Sequence, residues 1–341
     1  MNRYAKTFMM LSAAVFLTAC AADKSSDGGE PVSASVFAMD TYMTLSAYGE
    51  GAQKAVNESC ERISELERLW SVNIEDSDIS HVNRTGSAEV SPETAGLLGF
   101  ALGVCNDTGG ALDITLYPVL REWGFTTGEY RVPDSSMIAS LLEKTGAGRV
   151  SISENTVSVP AGFMLDTGSV AKGRTGDIVS GIMRENGVTS ALLDLGGNIQ
   201  TVGRKPDGEK WKIGLKDPLG RGVFGVLEAE DCAVVTSGGY ERYFEQDGET
   251  YWHILDPKTG RPAKNGIISA TVTGSEGILC DALSTALFVM GEEKAVSYWR
   301  GHEGFEFVLV TDNDRVLISE GLEDRFVSKG LFGDTEVIRR G

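Results

Sequence analysis

The stretch HILDPKTGRP, residues 253–262, sets one of the chain's three histidines against a turn rich in Asp256, Pro257, Gly260 and Pro262. An imidazole can take or give a proton near neutral pH, so His253 is a candidate general base. The other two histidines, His81 and His302, lie in polar stretches and receive no role. In CDALSTALFVMG, residues 280–291, Asp281 and Thr285 are four apart and share a face if the segment is helical. A carboxylate and a hydroxyl are hard oxygen donors of the kind Mg²⁺ takes, with waters and substrate phosphates completing the shell. The same two residues also read as a helix N-cap and a threonine bonded back to its own helix.

Four further stretches place glycines where the chain's backbone could approach a ligand closely. LDTGSVAKGRTGD, residues 165–177, is a strand, a Gly-rich turn and a helix start, a geometry that aims N–H groups at an anion. Lys172 adds a positive charge there, although the Walker A pattern is absent and a solvated lysine fits equally. GGALDITLYPVLREWGF, residues 109–125, offers Asp113 either to a ligand's ring or ribose or as a cap. LDLGGNIQTVG and TSGGYERYF each put Gly-Gly after an apolar strand, for close approach or simply for a bulge.

These residues must be held by the elements around them. Residues 36–48 read as a strand, and 52–70 as an amphipathic helix with Val56, Ile63, Leu66 and Trp70 on one stripe. Ser91-Pro92 opens a helix that runs to about 106 and stops at Gly109-Gly110. A helix is expected over 135–144, a hairpin over 149–160 and a helix over 170–186. Strands follow at 191–195, 211–215, 224–227, 233–236, 251–255 and 267–272, then a helix over 282–290 and a last hairpin. Meandering strands with inserted helices indicate an α+β protein, without internal repeats or an interior membrane span.

The N-terminus reads as an export leader over 1–19, with basic Arg3 and Lys6 and a short apolar run. It closes on Leu17-Thr18-Ala19-Cys20, which resembles a bacterial lipobox with Cys20 as the lipidated residue. Residues 20–34 are expected to be a lipidated cysteine and flexible tether, and 35–335 the folded domain, of a size for one domain or two intimate lobes. The location implied is extracytoplasmic and membrane-tethered through acyl chains such as palmitate. The chain carries 31 basic against 49 acidic residues, a charge of −18; without Arg3 and Lys6 it is 29 against 49, or −20. Such a balance argues against nucleic acid as a partner, and a polyanionic ligand would need local neutralisation. Cys60, Cys105, Cys232 and Cys280 lack metal spacing; buried thiols or disulfides both remain open.

In order, Gly-Gly-Ala-Leu-Asp-Ile-Thr (109–115), Asp-x-Gly-x-Val-Ala-Lys-Gly (166–173), Asp-Leu-Gly-Gly-Asn-Ile (194–199), the 253–262 stretch and Asp-Ala-Leu-Ser-Thr-Ala-Leu (281–287) resemble the ApbE family of FAD:protein FMN transferases. The resemblance runs from Met39 to Gly291. It implies an α+β fold of two intimate lobes, mostly antiparallel sheet with inserted helices, and a ligand site between them. It implies Mg²⁺ as cofactor and FAD as substrate, with FMN passed to a Thr or Ser hydroxyl of an acceptor redox protein and AMP released. Carried over by position, the metal would take the Ala171 backbone oxygen, Asp281 and Thr285. FAD would meet Met39, Trp70, Ala111, Leu112, Asp113, Gly168, Arg174 and Leu255, with His253 as base. Two positions depart from the family: Ala-Met-Asp-Thr stands where Met-Gly-Thr is usual, and Arg174 where an aromatic is usual. The alternative readings are a Mg²⁺-dependent FAD pyrophosphatase giving FMN and AMP, and a non-catalytic flavin-binding lipoprotein.

Overall fold

The computed structural model describes residues 29–341. The leader, Cys20 and most of the expected tether lie outside the described residues. The strand Val32–Ala38 begins inside the stretch assigned to the tether, and the last strand, Thr335–Ile338, runs past the expected domain end at 335.

A nine-stranded sheet forms the frame. Its strands lie side by side in chain order, from Val32–Ala38 at one edge to Thr335–Ile338 at the other. Every neighbouring pair is antiparallel except the last, where Val316–Ser319 and Thr335–Ile338 run parallel. The segment between Tyr48 and Ser190 is an insertion of helices and short strands, and a three-stranded sheet of Trp211–Lys216, Val223–Ala229 and Phe326–Ser328 adds a second layer. The α+β architecture read from the sequence is the one observed.

Several local readings change. Residues 36–48 are two strands, Val32–Ala38 and Thr41–Tyr48, joined by Met39-Asp40. Both turn residues have positive φ, 51° and 60°, as a two-residue hairpin turn of matching twist demands. Neither is glycine, so the turn stores strain of roughly 1–2 kcal/mol per residue. The Met39 N–H donates to Glu67 Oε1 at 2.8 Å, tying the turn to the helix Ala52–Trp70. Asp tolerates this backbone better than most residues.

The expected strand over 251–255 is broken: Glu249–Trp252 ends before His253, and Leu255–Asp256 pairs separately with Arg261–Pro262. The helix expected over 282–290 is Gly277–Met290 and starts more than a turn earlier. Its first N–H groups are capped from the neighbouring helix Ala171–Glu185: Asp177 accepts from Gly277 N at 2.6 Å and Ile278 N at 3.0 Å. A cap supplied by a distant residue leaves no local signal, and apolar alternation alone placed the start too late. Short helices Asp78–Thr85, Tyr117–Trp123 and Glu292–Gly301 went unread in the sequence.

The two long helices Ala52–Trp70 and Ala171–Glu185 cover one end of the sheet through Val56, Ile63, Val179 and Met183. The helix Gly277–Met290 is buried on most sides against the middle strands. Gly173 marks the closest approach of these helices: a Cβ there would sit 2.2 Å from Gly277 O and 2.7 Å from Asp281 Cβ. No helix among the described residues is long and apolar enough to cross a membrane. The cysteines Cys60, Cys105, Cys232 and Cys280 are free thiols.

Candidate active site

The 253–262 stretch answers to its surroundings at both ends. His253 N donates to Arg242 O at 3.1 Å, and Ala263 N donates to Ile254 O at 2.9 Å. Between them Asp256 O accepts from Thr259 N and Gly260 N, and Asp256 Oδ1 accepts from Lys258 N at 2.9 Å. Gly260 takes φ 63° and its carbonyl accepts from Trp123 Nε1 at 2.8 Å. Leu255 and Trp123 then join one small apolar cluster with Leu116, Phe125 and Ile138. The turn residues therefore lock the chain on either side of the imidazole rather than merely reversing it.

His253 Nδ1 faces the Arg242 carbonyl at 3.2 Å. A carbonyl only accepts, so the neutral ring carries its proton on Nδ1 and leaves a lone pair on Nε2. Nε2 has no hydrogen-bond partner among the described residues. Burial, then the Arg242 cation and more weakly Lys172, pull the His253 pKa down to about 4 against the opposing pull of that hydrogen bond. The free base is the resting form at neutral pH.

This ring lines an open cleft. Met39, Ala111, Leu112, Asp113, Gly168 and Leu255 line it as well, together with Lys172 and Thr285. The strained Met39-Asp40 turn thus forms part of the wall. Asp113 Oδ1 accepts from Thr115 N at 2.8 Å and Thr115 Oγ1 at 2.6 Å, which folds the 109–115 loop around it. Its second oxygen has no partner among the described residues.

Thr285 and Asp281 sit on successive turns of Gly277–Met290. Asp281 is inside the helix, so the N-cap reading fails; its Oδ2 accepts instead from Gly173 N at 2.8 Å. Thr285 Oγ1 lies 3.2 Å from Ser237 Oγ rather than bonding back to its own helix. Ala171, at the start of the facing helix, presents its carbonyl to Thr175 Oγ1 at 2.8 Å. Asp281 is 5% exposed. Burial pushes its carboxyl above the ordinary value, opposed by Lys172 and the Gly173 N–H. Asn198 is close enough to favour the ionised form, yet neither of its buried amide atoms is in a formed hydrogen bond. Hard oxygens, a buried carboxylate lacking a cationic partner and an unpaired amide fit a small divalent cation.

Two expected flavin contacts are elsewhere. Trp70 is 2% exposed in the main core, where its carbonyl accepts from Thr167 Oγ1 at 3.0 Å. The spacing that made it the end of an apolar stripe also turns it inward; Val72 and Asn73, just beyond the helix, line the cleft instead. Arg174 is exposed on the far side of its helix and borders a separate groove with Asp177, Arg184 and Asp231. It lies two residues after Lys172, which is more than half a turn around a helix.

The cleft also contains residues that sequence reading did not single out. Asp166 heads the 166–173 motif and its Oδ1 accepts from Gly168 N at 2.8 Å. Burial raises its pKa, while that N–H, Arg242 and Lys172 pull it back. Arg242 follows the second Gly-Gly pair and reaches the cleft only because the hairpin Tyr243–Gln246/Glu249–Trp252 returns His253 to its side. Only knowledge of that strand pairing could have joined the two.

The chain matches the ApbE family over residues 39–309. It is similar to the FAD:protein FMN transferase of Treponema pallidum, 33% identical over 80% of this chain and 81% of that protein. It is likewise similar to the FAD:protein FMN transferase of Klebsiella pneumoniae, 35% identical over 77% and 84%. Among solved structures, the ApbE protein of Thermotoga maritima superposes with a TM-score of 0.82 at 31% identity, over 87% of this chain and 99% of that one.

Proposed function

This chain belongs to the ApbE family, and we propose that it is a flavin transferase that moves FMN from FAD onto a Thr or Ser hydroxyl of an acceptor protein, releasing AMP. The observation that carries this reading is that His253, with its free Nε2, and Thr285 line one cleft, while Asp281 lies buried one helical turn from Thr285.

Ala171 O, Asp281 and Thr285 would hold Mg²⁺, which when bound neutralises diphosphate charge and stabilises the leaving AMP oxygen. The chain's own residues supply the rest. His253 Nε2 removes the proton from the acceptor hydroxyl, while the Nδ1–H held by the Arg242 carbonyl keeps the ring aimed. The hydroxyl oxygen forms a new bond to the FMN phosphorus, and the bond from that phosphorus to the bridging oxygen breaks. The bridging oxygen departs with AMP, and the proton rests on His253 until solvent takes it. Ala111–Ile114 of the 109–115 loop and the Met39-Asp40 turn line the cleft that would take FAD. In a chain of net charge −18, Lys172 and Arg242 bring positive charge to the diphosphate.

Lipid anchoring at Cys20 and an extracytoplasmic acceptor such as a membrane redox protein belong to the same proposal; they rest on the Leu17–Cys20 sequence. Loss of radiolabelled palmitate incorporation in Cys20→Ala tests the anchor. For the activity, the soluble domain is incubated with FAD, MgCl₂ and a threonine-bearing acceptor peptide. A covalently fluorescent peptide and one AMP per label are expected. FAD that stays intact across a series of divalent ions overturns the reading. Free FMN and AMP, released at a rate the peptide does not alter, make the protein a pyrophosphatase instead.

A further inference from the structure

We infer that Arg242 is the anion-binding residue for the diphosphate, gripping the phosphoryl group under transfer with its side chain while its backbone orients the base. The inference rests on the flavin-transfer reading and adds a residue given no role in the sequence analysis and lying outside the metal set.

Two cations line the cleft, Lys172 and Arg242, and neither has a carboxylate within 4.0 Å among the described residues. Elsewhere in this acidic chain arginines such as Arg62, Arg204, Arg221, Arg315 and Arg339 are held by carboxylates, whereas the two cleft cations are not. The Arg242 guanidinium makes a single 3.3 Å bond, Nη1 to the Phe125 carbonyl. A guanidinium has five N–H donors in a rigid planar fork that matches phosphate oxygens. One bond therefore orients the fork and leaves its remaining donors unused at the cleft wall.

Its position follows from the hairpin. Arg242 and His253 are the residues just outside the paired strands Tyr243–Gln246 and Glu249–Trp252, so they face each other across the base of the ladder. The Arg242 carbonyl takes both the His253 N–H and the Nδ1 proton. Base and guanidinium are thus carried by one rigid unit. The hydroxyl that His253 deprotonates must attack the phosphorus next to it, and Arg242 is the cation fixed beside that ring. Asp166 lines the same cleft without forming an ion pair with Arg242.

The test separates anion binding from a structural role and from the fate of the flavin-transfer reading. In Arg242→Ala and Arg242→Lys the backbone contact to His253 is retained. Binding of two probes is measured by calorimetry on the folded protein in the presence of a chelator: inorganic pyrophosphate and riboflavin, which lacks phosphate. FAD cleavage is then followed with MgCl₂. The expected result for Arg242→Ala is pyrophosphate affinity weakened at least tenfold, riboflavin affinity unchanged and turnover reduced by about 10²–10³-fold, the range for one oxyanion-stabilising donor. Arg242→Lys should keep part of the pyrophosphate affinity, since it retains the charge but not the fork. Parallel weakening of both probes, with a lowered melting temperature, overturns the inference in favour of a structural tie to Phe125. Unchanged pyrophosphate binding overturns it outright. If the parent protein does not cleave FAD, the flavin-transfer reading fails, while the pyrophosphate comparison still decides the anion site.

Discussion

Replacing Gly173 by alanine should uncouple stability from activity. An added Cβ would lie 2.2 Å from Gly277 O and 2.7 Å from Asp281 Cβ, where ordinary contact begins at 3.4 Å. Backbone stands in the way, so the helices Ala171–Glu185 and Gly277–Met290 must part by about 1 Å. Overpacking of this kind costs about 1–3 kcal/mol. Alanine returns up to about 1 kcal/mol through its better helix propensity, leaving a net loss of roughly 0–3 kcal/mol. The site suffers more. Parting the helices separates Ala171 from Asp281 and Thr285 and lengthens the 2.8 Å bond from Gly173 N to Asp281. Metal ligands tolerate only about ±0.2 Å, and a 1 Å misplacement can reduce turnover about 10²-fold. Calorimetric Mg²⁺ titration, FAD turnover and thermal melting are measured on Gly173→Ala. Gly181→Ala is the control, since a Cβ at that position of the same helix meets nothing within 4 Å. The control should match or exceed the parent in melting temperature at full activity. A Gly173→Ala protein with the parent's Mg²⁺ affinity, and turnover within about threefold, would refute the reasoning.

Other consequences are equally open to measurement. Because His253 stays neutral down to about pH 4, kcat/KM should hold its plateau to pH 5.5, where more than about 90% of the free base remains. A histidine of ordinary pKa would retain only about 10% there, so an acidic limb centred near 6.5 would contradict the assignment. The same depression makes the folded state bind fewer protons than the unfolded chain between pH 6.5 and 4. Its contribution to stability is complete above 6.5 and is lost as the pH falls through that window, visible as a declining urea midpoint. Gly260→Ala combines a φ of 63° with a Cβ 2.6 Å from Ile138 Cγ2. It should cost about 1–3 kcal/mol on chemical denaturation and lower kcat more than it raises KM, through the misdirected His253. Arg174→Ala, on a groove away from the cleft, should leave KM for FAD within about twofold, as an exposed change does.

The legible part of this molecule was the part written in local pattern. Ser91-Pro92 started its helix as read, with Ser91 Oγ accepting from Thr94 N at 3.1 Å. The ordered motifs marked the loops that now meet at the cleft, His253 and Thr285 among them. What escaped was set by partners far along the chain. Asp177 caps a helix 100 residues away, which hid the true start of Gly277–Met290 and left Asp281 looking like a cap. Position in the motif set puts Trp70 and Arg174 at the ligand, but the helical phase of each points it to the core or to another groove. Met39-Asp40 hid a hairpin because its strain is held by Glu67 rather than relieved by glycine. Arg242 entered the site through a strand pairing that sequence spacing does not reveal.

The central claim is that this cleft joins FMN to a hydroxyl of another protein. Its most direct test is mass spectrometry of a threonine-bearing acceptor peptide after incubation with the protein, FAD and MgCl₂, set against Asp281→Ala and His253→Ala. The account predicts a peptide heavier by one FMN less one water, with the modification on the threonine and one AMP formed per peptide, and no product from Asp281→Ala. An unmodified peptide beside intact FAD, or product formed equally well by Asp281→Ala, would contradict it.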